Sequence, residues 1–149
     1  MAEEVRLAFE SRGYCLRTRE SGQKTDEGRS LIEVYPHPAL LRLTSSEERV
    51  PYKVEKTKTY WPNASLESRR ALVVAVLEDI LIHLRAAGIG GDLPRVRGDS
   101  FQALKAVEDM VDAVVCAWVG VQFLNGMAEA FGNADAAIWI PRANKEGSV

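Results

Sequence analysis

Residues 31–36 read Leu-Ile-Glu-Val-Tyr-Pro. This β-branched and aromatic run, closed by a proline, predicts a strand over Leu31–Tyr35. Side chains alternate along a strand, so Glu33 shares a face with Leu31 and Tyr35, while Ile32 and Val34 share the other. If the strand is central, Glu33 is at least partly buried. A buried carboxylate is costly unless a cation, a metal ion or a hydrogen-bonding network compensates it. On an edge strand the same side chain would face water.

The flanking segments alternate helix and strand character. Upstream, Ala2–Arg12 predicts a helix with Val5, Leu7, Ala8 and Phe9 on one face and Gly13 as its stop. Tyr14–Arg17 predicts a short strand, and the polar, glycine-containing Ser21–Arg29 a mobile loop. Downstream, Pro38 starts a short helix through Leu43. Ser45–Pro62 mixes charges and predicts an extended excursion rather than a helix, anchored by Tyr52, Tyr60 and Trp61. Ser65 caps a strong helix that runs to Ala87 and stops at Gly88. A second strong helix is expected from Ser100 to Asn125, with Phe101, Leu104, Val107, Val111, Val114, Val115 and Trp118 at helical spacing. Gly126–Asp135 predicts a turn region with a helical turn at Ala128–Phe131. Ala137–Ile140 predicts a last strand ending at Pro141, and Arg142–Val149 a frayed tail. The pattern is that of one α/β domain over residues 1–149.

The composition is that of an ordinary globular protein. The chain has 149 residues, 46% hydrophobic and 27% charged, long enough to bury a sizeable core. Nineteen basic against 21 acidic residues leave a net charge of −2, so no global basic field recommends nucleic-acid binding. Cys15 and Cys116 lack metal-ligand spacing and read as reduced thiols, which with the absence of a secretory signal predicts a cytoplasmic protein. The longest apolar run, Ala113–Val121, is far short of the roughly 20 residues needed to span a bilayer.

The second place for chemistry is the predicted helix around Met110–Trp118. Asp112 lies inside it, with Glu108 and Asp109 four and three residues before, so the three carboxylates project near one another. Like charges so placed repel unless something cationic stands between them: a metal ion, or a lysine or arginine. The plainer alternative leaves Glu108 and Asp109 on a solvated face and Asp112 at its boundary. Ala113 and Ala117 let the helix pack closely. A strand carboxylate opposite a helix carboxylate suits Mg²⁺ or Mn²⁺, which take hard oxygen ligands. Two such ions about 3.5–4 Å apart can activate water in phosphodiester hydrolysis. Of the two histidines, His37 follows the strand end and could serve a small-molecule site, whereas His83 reads as structural. Gly88-Ile89-Gly90-Gly91 follows a helix and does not resemble a phosphate-cradling loop.

Three stretches together resemble domain-of-unknown-function family 429, predicted ribonuclease H-like nucleases. They are Leu31–Leu43, Val50–Arg70 and Phe101–Pro141, in which Glu33-Val34-Tyr35-Pro36, the Asp112–Ala117 helix and the Gly126–Pro141 stretch that follows it are fairly specific together. The resemblance implies a mixed sheet flanked by helices and an acidic, divalent-metal site. It would place one acid at Glu33 and another at Asp112, with Asp109 as a neighbouring candidate. Lys53 would meet substrate phosphate or the acids. It also implies that this chain is the C-terminal part of the fold, a partial ribonuclease H-like fold lacking the N-terminal strands. An unpaired central edge would follow, to be covered by a second copy or by a partner chain supplying those strands. Two expectations result. One is a metal-dependent nuclease acting on nucleic acid; the other is a non-catalytic subunit or remnant that works by homo- or hetero-oligomer association.

Overall fold

The structure is a computed structural model that describes residues 3–22 and 28–143. Among the described residues it is a mixed α/β fold of five helices and two small two-stranded sheets. In chain order the elements are α1 (Glu3–Glu10), β1 (Tyr14–Leu16), β2 (Arg29–Leu31), α2 (Pro36–Leu43), a 3-10 turn (Val54–Lys56), α3 (Thr57–Tyr60), α4 (Leu66–Ala86), α5 (Phe101–Leu124), β3 (Ala128–Gly132) and β4 (Ala137–Pro141).

The two long helices form where apolar spacing and caps demand them. The Ser65 and Ser100 hydroxyls accept from the backbone N–H groups of Ser68 and Ala103, satisfying donors that a helix start leaves open. Leu77, Ile80 and Leu84 of α4 and Leu104, Val111 and Val115 of α5 are buried in one core with Leu40 of α2 and Trp139 of β4. Each such leucine contributes about 2 kcal/mol by leaving water.

The predicted strand at Leu31–Tyr35 is placed differently. Regular pairing ends at Leu31, Glu33 makes a single parallel bridge to Ile138, and Tyr35 is already the residue before α2. Two prolines, Pro36 and Pro38, hold φ near helical values in the first turn, so α2 begins at Pro36 instead of Pro38. The segment remains the hub of both sheets. The Arg17 N–H donates to the Leu31 carbonyl at 2.8 Å and the Trp139 N–H to the Glu33 carbonyl at 2.9 Å. Carbonyls two residues apart on an extended chain point to the same side. So β1 runs parallel along one edge of this segment, and β4 takes its place along that same edge.

Two further expectations are corrected. Val54–Tyr60, expected to be extended, coils into the 3-10 turn and α3, because the buried Glu108 carboxylate accepts the Val54 N–H and fixes where the turn starts. Ala128–Phe131, expected to be a helical turn, is strand β3, because a hairpin partner is available: Ala128 pairs with Pro141 and Gly132 with Ala137 in antiparallel register. Tyr52 is buried, as an anchor should be. The apolar side chains of α1 stay exposed and the helix buries none of its residues. The expected loop at Ser21–Arg29 and tail at Arg142–Val149 fall largely on residues 23–27 and 144–149, outside the described residues. Among the described residues no helix is long and apolar enough to cross a membrane.

Candidate acidic site on helix α5

Leu104, Glu108, Val111 and Val115 recur at intervals of four, three and four residues, so Glu108 takes a core position of α5 and is only 1% exposed. One turn later Asp112 is half-buried beside it, and Asp109 points to the exposed flank. A carboxylate oxygen of each of the three lies within 4.8 Å of the others, a spacing that could hold a metal ion.

The segment Val50–Lys56 closes over this acidic turn. The Val54 N–H donates to Glu108 Oε2 at 2.7 Å, and the Tyr52 hydroxyl to Asp112 Oδ1 at 2.9 Å. Lys53 Nζ donates to Asp112 Oδ2 at 2.6 Å and stands 2.9 Å from Glu108 Oε1. Lys105 Nζ approaches Glu108 Oε1 at 3.2 Å and pairs with Asp109. Like charges at this spacing require cations between them, and in this structure two ammonium groups fill that role.

These contacts shift the groups around the acids. Burial by itself would lower the Lys53 pKa, but the hydrogen bonds to Asp112 and Glu108 outweigh it and raise it above the usual lysine value. Burial, then the Asp112 charge and hydrogen bond, push the Tyr52 phenol up, so it stays protonated. His37 stacks on Tyr52 with ring centroids 6.2 Å apart. Its pKa is lowered by burial and by the Arg49, Lys53 and Lys56 charges, against the pull of Asp112, so it is neutral at pH 7. Burial and the Asp112 charge raise the Cys116 thiol, which disfavours a reactive thiolate.

Of the residues singled out from the sequence, Asp112, Asp109 and Lys53 come together. Glu33 does not join them: it is absent from the acidic group. Ile32 and Val34 pack against the core that contains α5, and Trp139 meets Phe123 of α5 edge-to-face at 4.7 Å. Alternation then puts Glu33 and its bridge partner Ile138 on the opposite face. Glu108 joins Asp109 and Asp112, as its helical spacing from Asp112 predicted, and Tyr52 and Lys105 belong to the site although the sequence did not assign them to it. The burial of Glu108, against the alternative of a solvated face, follows from its place on the apolar stripe of its own helix.

The model of one protein family, described as "Protein of unknown function (DUF429)", matches residues 8–137, most of the chain and 23 residues further toward the N-terminus than Leu31. No curated protein and no solved structure matches.

Proposed function

The chain therefore belongs to that family, whose description carries no activity, and from the geometry of α5 we propose a divalent-metal-dependent phosphodiester hydrolase with its site at Glu108, Asp109 and Asp112. One observation carries this reading: the two inner carboxylates are each divided between a neutral anchor and a lysine ammonium. Tyr52 and Val54 hold Asp112 Oδ1 and Glu108 Oε2, while Asp112 Oδ2 and Glu108 Oε1 face lysine ammonium groups. Outer donors that fix one oxygen and leave the other for a cation are what ligating carboxylates need.

The donor set fits Mg²⁺ or Mn²⁺, since all three groups offer hard oxygens. Asp112 Oδ2 and Glu108 Oε1 would hold the ion in exchange for the Lys53 ammonium, with Asp109 beside them. When bound, the ion supplies Lewis acidity at the phosphoryl oxygen and a water of lowered pKa. Lys53 sits on a flexible four-carbon stem with its side chain 29% exposed, so it can turn from the acids to a non-bridging phosphate oxygen. Tyr52 keeps its proton and keeps Asp112 oriented. Neutral His37, stacked on Tyr52, is a group beside the site that can take a proton. Glu33 has no place in this scheme.

The finer family expectation, the C-terminal part of a ribonuclease H-like nuclease fold acting on nucleic acid, is part of this proposal apart from the acid it placed at Glu33. It is supported by the parallel bridge between the Glu33 segment and β4, and by acids carried on α5, the second of the two long helices between them in the chain. Two unpaired cysteines suit a reducing compartment such as the cytoplasm.

The test is Mn²⁺-dependent cleavage of labelled single- and double-stranded DNA and RNA by the parent, Glu108→Gln and Asp112→Asn. Glutamine retains an acceptor for Val54. Cleavage that falls at least about tenfold in both variants is expected. No cleavage by the parent, or equal cleavage by all three, overturns the reading.

A further inference from the structure

The segment carrying Glu33 spends its hydrogen bonds on one side only. Leu31 and Glu33 face β1 and β4, so the backbone groups of Ser30, Ile32 and Val34 face the other edge, where no strand pairs among the described residues. An unpaired edge of this kind is a template for another strand. Beside it runs a groove of about 350 Å³ between Ile32 and the α5 residues Ala117, Gly120, Val121 and Leu124.

The groove continues as an apolar stripe on α5. Met110, Ala113, Ala117, Val121 and Leu124 follow at intervals of three, four, four and three residues, and all five are exposed, Leu124 by 66%. The opposite stripe of the helix already fills the core, so α5 is apolar on two sides. The outer face of a surface helix is ordinarily polar, so a second apolar stripe turned to water is out of place. An open backbone edge and an exposed apolar stripe thus lie side by side on one flank.

We propose that this flank docks a second copy of the same chain, the Arg29–Val34 segments pairing antiparallel about a two-fold axis at Leu31, with the exposed α5 stripes meeting beside them. The charge pattern selects the partner and the register. Centring on Leu31 sets Arg29 of each copy directly opposite Glu33 of the other, giving two favourable cross-strand pairs. Centring one residue along, on Ile32, sets Glu33 against Leu31 and Arg29 against Tyr35 with no charge pair, and centring on Glu33 sets like charges against each other. Arg29 is exposed, and its hydrogen bond to the Arg12 carbonyl at 3.3 Å is long enough to exchange. A two-fold axis normal to the sheet keeps each face on its own side, so both α5 helices lie on one face and approach through Ala113 and Ala117. Such an interface is isologous and closes at two copies. The proposal is independent of the acidic site, which lies on the turn of α5 covered by Val50–Lys56.

Sedimentation equilibrium of the whole chain, with Arg29→Glu, Glu33→Arg, the double swap and Ala117→Glu, tests it. A dimer is expected for the parent. Each single charge variant should weaken it at least about tenfold, the double swap should restore it, and Ala117→Glu should give a folded monomer. Amide exchange supplies a second readout that a folding defect would not mimic: Ser30, Ile32 and Val34 should gain protection as concentration rises. A parent that stays monomeric at high micromolar concentration overturns the proposal, as does a dimer that survives Ala117→Glu and both single charge variants.

Discussion

Lys53 Nζ stands 2.6 Å from Asp112 Oδ2, a contact between residues 59 apart in sequence that ties the Val50–Lys56 segment to the middle of α5. The same ammonium lies 2.9 Å from Glu108 Oε1, so one side chain compensates two carboxylates. Removing it leaves the buried Glu108 with only Lys105 and the Val54 N–H. Breaking such a pair by deleting one partner is costly because the remaining charge stays buried. Lys53→Met should lose about 2 kcal/mol, which for a chain of this size lowers Tm by about 4–8 °C. Thermal unfolding followed by circular dichroism checks this, and an unchanged Tm would show that Lys105 compensates the acids alone.

The same cluster sets how stability depends on pH. Lys53 and Tyr52 both have raised pKa values in the folded chain. The folded state therefore holds their protons more tightly, and the stability they give is present below their unfolded values, about 10.4 and 10. It is lost as pH rises through those values toward the folded ones. His37 has the opposite sign, because its pKa is lowered on folding. Its contribution is complete above its unfolded value of about 6.5 and is lost as pH falls through that value toward the folded one. Urea midpoints across the pH range should fall on the alkaline side, and less steeply in Tyr52→Phe. An alkaline limb identical in parent and variant would remove Tyr52 from the explanation.

Gly132 closes the β3–β4 hairpin with φ at +152°, and a Cβ there would lie 2.1 Å from the Ala136 carbonyl oxygen and 2.7 Å from the Ala137 Cα. Both obstacles are backbone, so the turn itself would have to move. Gly132→Ala should cost about 2–3 kcal/mol, read as a lower urea midpoint with an unchanged slope. A variant as stable as the parent would mean that the hairpin closes through another turn.

Trp139 links the two sheets. Its indole Nε1–H donates to the Arg17 carbonyl at 2.9 Å while its ring packs edge-to-face on Phe123. Trp139→Phe keeps most of the packing and leaves that carbonyl without its donor, a loss of about 1–2 kcal/mol. Faster amide exchange around Arg17 should accompany it, and exchange unchanged there would disconnect β4 from the end of β1.

The long helices were legible because periodicity and caps agree over more than twenty residues, as at Ser65–Ala86 and Ser100–Leu124. The short elements were not. Val54–Tyr60 has no helical pattern of its own and coils because the Glu108 carboxylate, from a distant helix, accepts its first N–H. Ala128–Gly132 is a strand because a hairpin partner exists, which local propensity does not register. In the site, the clustering of Asp109 and Asp112 followed from helical spacing, as did the need for a cation. That the cations present are Lys53 and Lys105 depends on how the Val50–Lys56 segment folds back. The placement of Glu33 away from the acids depends on which face of its segment packs against the core that holds α5, a tertiary fact absent from the alternation itself.

The central question is whether the acids of α5 take a divalent ion where the Lys53 ammonium now stands. Mn²⁺ binding to the parent, Lys53→Met and Asp112→Asn, measured by titration calorimetry and by the loss of free-ion electron paramagnetic resonance signal, addresses it directly. A competing ammonium implies that Lys53→Met binds Mn²⁺ more tightly than the parent, by about tenfold or ~1.4 kcal/mol, while Asp112→Asn binds far more weakly than either. Equal affinity in all three, or no binding to the parent and Lys53→Met at millimolar Mn²⁺, would make Glu108, Asp109, Asp112, Lys53 and Lys105 a closed ion-pair cluster and contradict a metal site there.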